Sequence, residues 1–364
     1  MRVLFVSHAY TVGITWKKIE MLGKHKDIEL FLLTPKKWKH TLKTYSISRK
    51  RPKNFKLISR DAVFKGRNYY YFFRGLKKII NDLKPDIIHI EEEPSSLMAY
   101  RSQRAAKSLG SKLVFFTWEN IYKKYPFPFS KFERFVIKNA DYAICGNLGA
   151  QGIIRRKGFK KSISVLPQFG LDIMEFRKKK SPVRKRLGLK NDFVVGFVGR
   201  LVKQKGLLTL IEAVKDIDCK LLILGGGPLK DRLLKMYKNK IIFVDTVLHE
   251  RVVDYINAMD CLVLPSESTD KWKEQFGHVL IEAMACEVPV IGSSCGAIPE
   301  VIGDAGLIFK EGNKKGLSKK ISMLMKNKKL RQKLSKKARN RVLKKYSLVT
   351  IDRGIYNVYR KLMK

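Results

Sequence analysis

The sequence is poor in several things, and each shortage excludes something. It has five cysteines in 364 residues. They are Cys145, Cys219, Cys261, Cys286 and Cys295, scattered singly with no C-x-x-C pair. This argues against a disulfide framework or a zinc ribbon, and a reducing cytoplasm is the natural compartment. No apolar run approaches the roughly 18 residues of a membrane span. The opening MRVLFVSHAY is too short an apolar run for a signal peptide and reads as a first buried strand. No G-x-x-x-x-G-K-[ST] occurs, so a P-loop is absent. His249-Glu250-Arg251-Val252-Val253 begins like the zinc-protease motif H-E-x-x-H but ends in valine. Gly225-Gly226-Gly227-Pro228 lacks the G-x-G-x-x-G spacing of a dinucleotide fingerprint and reads as a strand-to-helix turn.

Acid is the other shortage. The chain has 32 acidic and 76 basic side chains, a net charge of +44. Such an excess suits an anionic partner: nucleic acid, a membrane surface or a phosphorylated substrate. The charge is spread evenly, however. Residues 1–173 carry 35 basic and 13 acidic side chains, and residues 174–364 carry 41 and 19, so each part has a net of +22. That argues against one dedicated nucleic-acid face.

Two stretches are denser. Lys36–Lys78 has 15 Lys or Arg and one acid, Asp61, and Lys314–Lys345 has 15 and no acid. The first is also aromatic, with Tyr45, Phe55, Phe64 and the run Tyr69 to Phe73. Cations beside aromatics suit an anionic bilayer interface. They equally suit single-stranded nucleic acid. A lysine-rich bias on solvated faces is the plain alternative.

The hydrophobic content of 45% is that of a globular chain. Short β-branched runs alternate with amphipathic stretches. Strands are expected at Val3–Ser7, Ile28–Leu33, Asp86–Ile90, Lys112–Phe116, Tyr142–Cys145 and Ser162–Leu166, with helices at Tyr70–Leu83 and Ser96–Leu109. The charged segment Gly170–Lys190 breaks the rhythm and reads as a linker. Strands follow at Phe193–Val198, Lys220–Leu224, Lys240–Val244, Cys261–Leu264 and Val288–Ile291. Helices are expected at Leu207–Val214, Leu229–Tyr237, Glu250–Ala258 and His278–Ala285, and from Gly312 to the end. This is the βαβ signature of parallel sheets covered by helices. Two such domains make a cleft beyond the strands' carboxyl ends the expected site.

Two motifs carry chemistry. Strand Phe193–Val198 runs into Gly199-Arg200-Leu201-Val202-Lys203-Gln204-Lys205-Gly206. Glycines permit the tight turn, and Arg200 and Lys205 set two cations at a strand's carboxyl end, as a diphosphate requires. The second motif is Glu274-Gln275-Phe276-Gly277-His278-Val279-Leu280-Ile281-Glu282. Two carboxylates flank a glycine that opens a helix, whose first amides and dipole favour an anion. On spacing alone, Glu274 as a helix cap and Glu282 as a solvated residue remain open.

Together the motifs resemble the family 4 glycosyltransferases, which have the GT-B fold: two Rossmann-like, doubly wound α/β domains facing a cleft, with C-terminal helices. The match covers G-R-L-x-x-x-K-G and E-x7-E in order. It extends to Pro265-Ser266, Ala283–Gly292, Gly296–Val301 and Val165–Asp172. The resemblance implies an acceptor-binding domain at 1–173 and a nucleotide-sugar-binding domain at 174–346. The final helix, 347–364, would pack back toward the first domain.

The implied reaction is retaining transfer of a sugar from a nucleotide-diphosphate-sugar to an acceptor hydroxyl, with no cofactor and no metal. Arg200, Lys205 and Glu274 are the implied catalytic residues. Donor contacts fall to Gly13, Gly199, Arg200, Lys205, Phe276, Gly277, His278, Val279 and Glu282. The acceptor side would be His89, Glu91, Trp118, Glu119 and Asn120. Three departures stand out. Val12-Gly13 replaces a double glycine, and Glu91 replaces the second histidine of H-x-H-E-P. Trp118-Glu119-Asn120 stands where many members carry a histidine. The implied partners are a nucleotide-sugar and a glycan or lipid-linked acceptor, in cell-surface glycan or glycolipid synthesis. Lys36–Lys78 would touch the inner face of the cytoplasmic membrane. The alternatives are a GT-B epimerase or phosphorylase, and a nucleic-acid-binding protein.

Overall fold

A computed structural model describes residues 1–39, 44–48, 51–236 and 241–364. The expected helix end at Tyr237 and strand start at Lys240 lie outside the described residues. So do residues 40–43 and 49–50 of the basic, aromatic stretch. The chain divides into two compact units: Met1–Gly170 with Leu348–Lys364, and Leu171–Ser347.

The first unit is built on a seven-stranded parallel sheet. Its spatial order is Ser162–Val165, Tyr142–Cys145, Lys112–Thr117, Ile87–Ile90, Arg2–Val6, Glu29–Pro35 and Lys56–Arg60. The apolar runs in these strands are continuous because both faces are covered. Alternate side chains go to opposite faces. Leu4, Leu33, Ile88, Leu113 and Phe115 enter one core cluster. Val3, Phe5, Leu32, Ile87, Val114 and Phe116 enter the other.

The second cluster is closed by the helix Leu348–Leu362. Ile351, Ile355, Val358 and Tyr359 fall on one helical stripe and are buried in it. His25 stacks on Tyr356 at 3.9 Å, and its Nε2 lies 3.0 Å from Asp352. The last helix is thus an integral layer of the first unit.

The second unit has a six-stranded parallel sheet. Its order is Ile241–Val244, Lys220–Leu224, Val194–Val198, Cys261–Leu264, Val290–Ser293 and Leu307–Phe309. In both sheets the strand order reverses direction beside the first strand. That reversal opens a crevice at the carboxyl edge. The basic stretch Lys314–Lys345 forms two helices, Lys314–Lys326 and Lys328–Lys345. Their buried stripes are Leu317, Ile321 and Leu324, then Leu334, Ala338 and Val342.

Three arginines of the second helix point inward to carbonyls near the C-terminal ends of other helices. Arg331 donates to Met325 O at 2.9 Å, Arg339 to Ala285 O at 2.7 Å and Arg341 to Val301 O at 2.8 Å. Cations there satisfy orphan acceptors and oppose the helix dipole. Part of the positive excess is therefore structural.

Several expectations change. The helix expected over Tyr70–Leu83 occupies only Leu76–Leu83. Gly75, in the left-handed region at φ 70°, ends the preceding turn. The aromatic run ahead of it instead folds as a short antiparallel pair, Ala62–Val63 with Phe72–Phe73. The edge strand Lys56–Arg60 was not expected, because it is too polar and too exposed to carry an apolar run. The segment read as a linker is folded into the second unit. Phe176, Val183 and Leu189 within it are buried, and Arg339 donates to Phe176 O at 2.9 Å. Charge density there hid a thin apolar stripe.

Replacing Ile355 by alanine removes a fully enclosed side chain from the seam under the last helix. It should cost about 2–5 kcal/mol. A lower urea midpoint for the first unit, with the second unit's transition unmoved, is the expected result.

Candidate active site

In the second unit, the loops after Val194–Val198 and Cys261–Leu264 border the sheet's switch point. The first loop is Gly199–Gly206. It is braced by the triglycine segment, which the spacing marked only as a turn. Leu201 N donates to Gly226 O at 2.9 Å, and Leu229 N to Leu201 O at 3.1 Å. A Cβ on Gly225, at φ +143°, would lie 2.0 Å from Gly199 O. Gly206 is equally constrained: at φ +65°, a Cβ there would lie 1.9 Å from Pro265 O. The two loops meet at backbone distance, and only glycine permits it.

That meeting joins the two motifs. Lys205 Nζ lies 2.5 Å from Glu274 Oε2. Ser266 Oγ donates to the same oxygen at 2.8 Å. Lys205 also sits over the Trp272 ring, 5.3 Å from its centroid. Glu274 is buried and its backbone is held: Ala297 N donates to Glu274 O at 2.9 Å. Gly296, at φ +57°, keeps that approach open, since a Cβ would stand 2.1 Å from Glu274 O. Glu274 is therefore a charged partner of Lys205 and not a helix cap.

The helix His278–Ala285 begins where the motif placed it. Gly277 is its N-cap at φ 81°, and no side chain caps it. Glu282 is buried rather than solvated, and its Oε1 lies 3.2 Å from His249 Nε2. Phe276 is buried against Tyr346, with ring centroids 5.5 Å apart, and His278 stands over it at 4.9 Å. Arg200 is exposed and makes no ion pair or side-chain hydrogen bond among the described residues.

In the first unit, a cavity of about 230 Å³ opens at the corresponding switch point. It lies beyond strands Arg2–Val6, Ile87–Ile90 and Lys112–Thr117. Glu91, Glu92, Glu93, Tyr69, Trp118 and Gln168 are among its walls. Three adjacent carboxylates in a loop are ordinarily solvated, but here each has its own partners. Glu91 forms an ion pair with Lys18 and accepts from Tyr10 Oη at 2.7 Å and Gln168 Nε2 at 3.0 Å. Glu92 accepts from Tyr71 Oη at 2.6 Å and faces His8 Nδ1 at 2.7 Å. Glu93 accepts from Thr117 Oγ1 at 2.5 Å and Trp118 N at 2.9 Å. Burial pushes the Glu93 carboxyl up to about 7.

The proposed acceptor residues divide. Glu91 and Trp118 line the cavity, and Trp118 Nε1 donates to Gln168 Oε1 at 3.0 Å. His89, Glu119 and Asn120 lie elsewhere. His89 is wholly buried against Phe5, with one ring nitrogen 2.6 Å from Tyr359 Oη. Its other ring nitrogen has no hydrogen-bond partner among the described residues. Glu119 lies 3.0 Å from Lys157, which also holds Glu133 at 2.6 Å. Asn120 packs beside Gly149. Gly13 opens the turn Gly13–Trp16 in the loop after the first strand.

Lys205 stands in the Gly199–Gly206 motif, but the other residues that hold these groups carry almost no signal of their own in sequence. Lys18 is 73 positions from Glu91. His249 falls in a stretch that only begins like a metal motif, and nothing in the spacing of Val165–Asp172 marks Gln168.

The fold is the GT-B fold, two parallel-sheet Rossmann-like units. Among solved structures, a glycosyltransferase from Rickettsia africae has a TM-score of 0.79 at 19% identity, covering 100% of this chain and 98% of its own. The Anabaena protein HepE in complex with UDP has a TM-score of 0.76 at 18% identity, covering 99% and 100%. Residues 179–341 match the family model of the glycosyl transferases group 1.

Two curated relatives agree with that match. The capsular polysaccharide biosynthesis glycosyltransferase CapM of Staphylococcus aureus is 31% identical over 235 residues, 61% of this chain and 59% of that protein. The N-acetyl-alpha-D-glucosaminyl L-malate synthase of Bacillus anthracis is 28% identical over 216 residues, 56% and 55%. The chain thus spans a little over half the length of these relatives.

Two outcomes follow from the buried charges. Lys18→Ala leaves the Glu91 carboxylate buried without its cation and should cost about 3–5 kcal/mol. Lys18→Met combined with Glu91→Gln should recover much of that loss in a denaturation curve. For Glu93, the folded state keeps a proton that the unfolded chain sheds above its ordinary value of 4.5. Its contribution is therefore present below pH 4.5 and lost as pH rises to about 7. Unfolding curves across that window should show stability draining away, and Glu93→Gln should flatten the slope.

Proposed function

We propose that this chain is a family 4 retaining glycosyltransferase that moves a sugar from a nucleotide-diphosphate donor to an acceptor hydroxyl. One observation carries the reading. The Gly199–Gly206 turn and the Glu274–Glu282 element meet at the second unit's switch point, with Lys205 against Glu274 and Arg200 unengaged. Diphosphate chemistry needs cations that are in place before charge develops. Arg200 offers a planar fork and Lys205 a mobile point charge. The N-terminus of His278–Ala285, near Val279, adds dipole and amide donors.

The bond from the anomeric carbon to the phosphate oxygen breaks, and a bond from that carbon to the acceptor oxygen forms on the same face. The acceptor proton passes to the departing phosphate, whose growing charge Arg200 and Lys205 stabilise. Glu274 receives a hydroxyl of the transferred sugar once a diphosphate draws Lys205 away from it. Glu282 accepts from the nucleotide ribose, and His249 orients it. The reading invokes no metal, cofactor or protein nucleophile.

The acceptor belongs to the cavity of the first unit, and its product to cell-surface glycan or glycolipid synthesis. CapM, a relative, is named for capsular polysaccharide biosynthesis. The five cysteines are all free thiols, which suits a reducing cytoplasm. No helix among the described residues is long and apolar enough to cross a membrane.

Binding of UDP-, GDP- and ADP-sugars by calorimetry, followed by product analysis, tests the proposal. Arg200→Ala should lower transfer about 10²–10³-fold. Glu282→Ala should weaken nucleotide binding. Transfer by Arg200→Ala at near-normal rate would remove that residue from the mechanism. Failure of every nucleotide sugar to bind would sink the reading as a whole.

A further inference from the structure

Sequence spacing marked Lys36–Lys78 as basic and aromatic, but the structure draws a different surface. Two segments distant in sequence come together through their rings. Tyr69 meets Tyr125 at 5.7 Å and Tyr70 meets Phe129 at 4.8 Å, while within the first segment Phe64 meets Phe72 at 6.3 Å. The joint surface spans residues 62–74 and 121–131 of the first unit. It carries Lys65, Arg67, Arg74, Lys123, Lys124 and Lys131, and of these Lys65 pairs with Asp61 at 2.9 Å, just before the first segment, while the segments themselves contain no acid. All six cations are exposed.

From this surface large rings project into solvent. Phe127 is 79% exposed and Phe64 is 53% exposed, with Tyr70 and Tyr122 beside them. Phe64 is a bulky residue in the left-handed region, at φ 57°. That conformation strains a residue with a side chain, and strain of this kind gathers at functional surfaces. The surface also adjoins the cavity, because Asn68 and Tyr69 line it.

We propose that this surface docks on an anionic lipid bilayer. On the glycosyltransferase reading, it then brings the cavity to an acceptor sugar carried on a membrane-embedded lipid. Arg67, Arg74, Lys123, Lys124 and Lys131, in the two segments without acids, meet the negative leaflet, and projecting phenylalanines enter the boundary between headgroups and acyl chains. A nucleic-acid partner would instead stack bases in a basic groove. Two phenylalanines standing clear of the surface suit acyl chains better.

Sedimentation of the full chain with vesicles of equal phosphatidylglycerol and phosphatidylcholine, against phosphatidylcholine alone, tests this at moderate salt. Binding to the anionic vesicles alone is expected. Phe64→Ser with Phe127→Ser should lower it at least about tenfold. Lys123→Glu with Lys124→Glu should lower it at least about twenty-five-fold, near fivefold per lysine. Lys333→Glu with Lys336→Glu, on the helix Lys328–Lys345, removes the same charge elsewhere and should have little effect. Equal loss from both charge pairs would reduce the binding to net charge and overturn the assignment. So would no loss from the phenylalanine pair, or no sedimentation of the parent chain. The inference also falls if Phe64 and Phe127 prove to support RNA binding or self-association instead. UDP affinity of each variant, measured without vesicles, separates this failure from failure of the glycosyltransferase reading.

Discussion

In each unit every strand of the main sheet runs parallel, and this constraint decides where chemistry can occur. A parallel strand must be followed by a crossover, so all the loops that leave carboxyl ends gather on one edge. The reversal beside the first strand then parts two neighbouring loops and leaves room between them. In the second unit those loops carry Lys205 and, some 70 positions on, Glu274. In the first they carry His8 and the three glutamates. The loops of the second unit close to backbone distance only because Gly206, Gly225 and Gly296 have no side chain there. Remove that permission and the motifs exist in sequence without meeting.

The second theme is how a chain of +44 spends its few acids. Several are placed where a cation must be held or a carboxylate must be kept dry. Glu91, Glu92, Glu119, Glu274 and Glu282 are all buried, and each has a named partner. The cations divide into those that serve these acids, those that cap helix ends, such as Arg331, Arg339 and Arg341, and those left to solvent. Net charge as a single figure conceals this division.

Much of the frame was legible. The helix His278–Ala285 has the bounds its pattern predicted, because a glycine N-cap and an apolar interior mark both its ends. Strands buried on both faces announced themselves as continuous apolar runs. Legibility failed where local pattern and tertiary environment part company. The run from Tyr70 has helical spacing, yet Tyr70 stays exposed, Tyr71 is buried ahead of the helix and Phe73 is buried in a short strand pair. The strand Lys56–Arg60 joins the sheet through backbone bonds that leave no mark on its side chains. Lys18, Gln168 and His249 act only through residues far away in sequence. His89 matched a motif, but an odd position in a strand sent it into the core, away from the cavity beside it.

The helix Leu348–Leu362 completes a core whose other layers come from the first 170 residues. On the ribosome, the seam that takes Ile351, Ile355 and Tyr359 therefore stays uncovered until residues 348–362 are made. The hydrogen bond between His89 and Tyr359 Oη must wait for that helix. Residues 171–347 hold their own sheet and core and need wait for nothing later in the chain. Synthesis order and folding order thus diverge: the unit whose first 170 residues precede the other in the chain cannot be completed until after it.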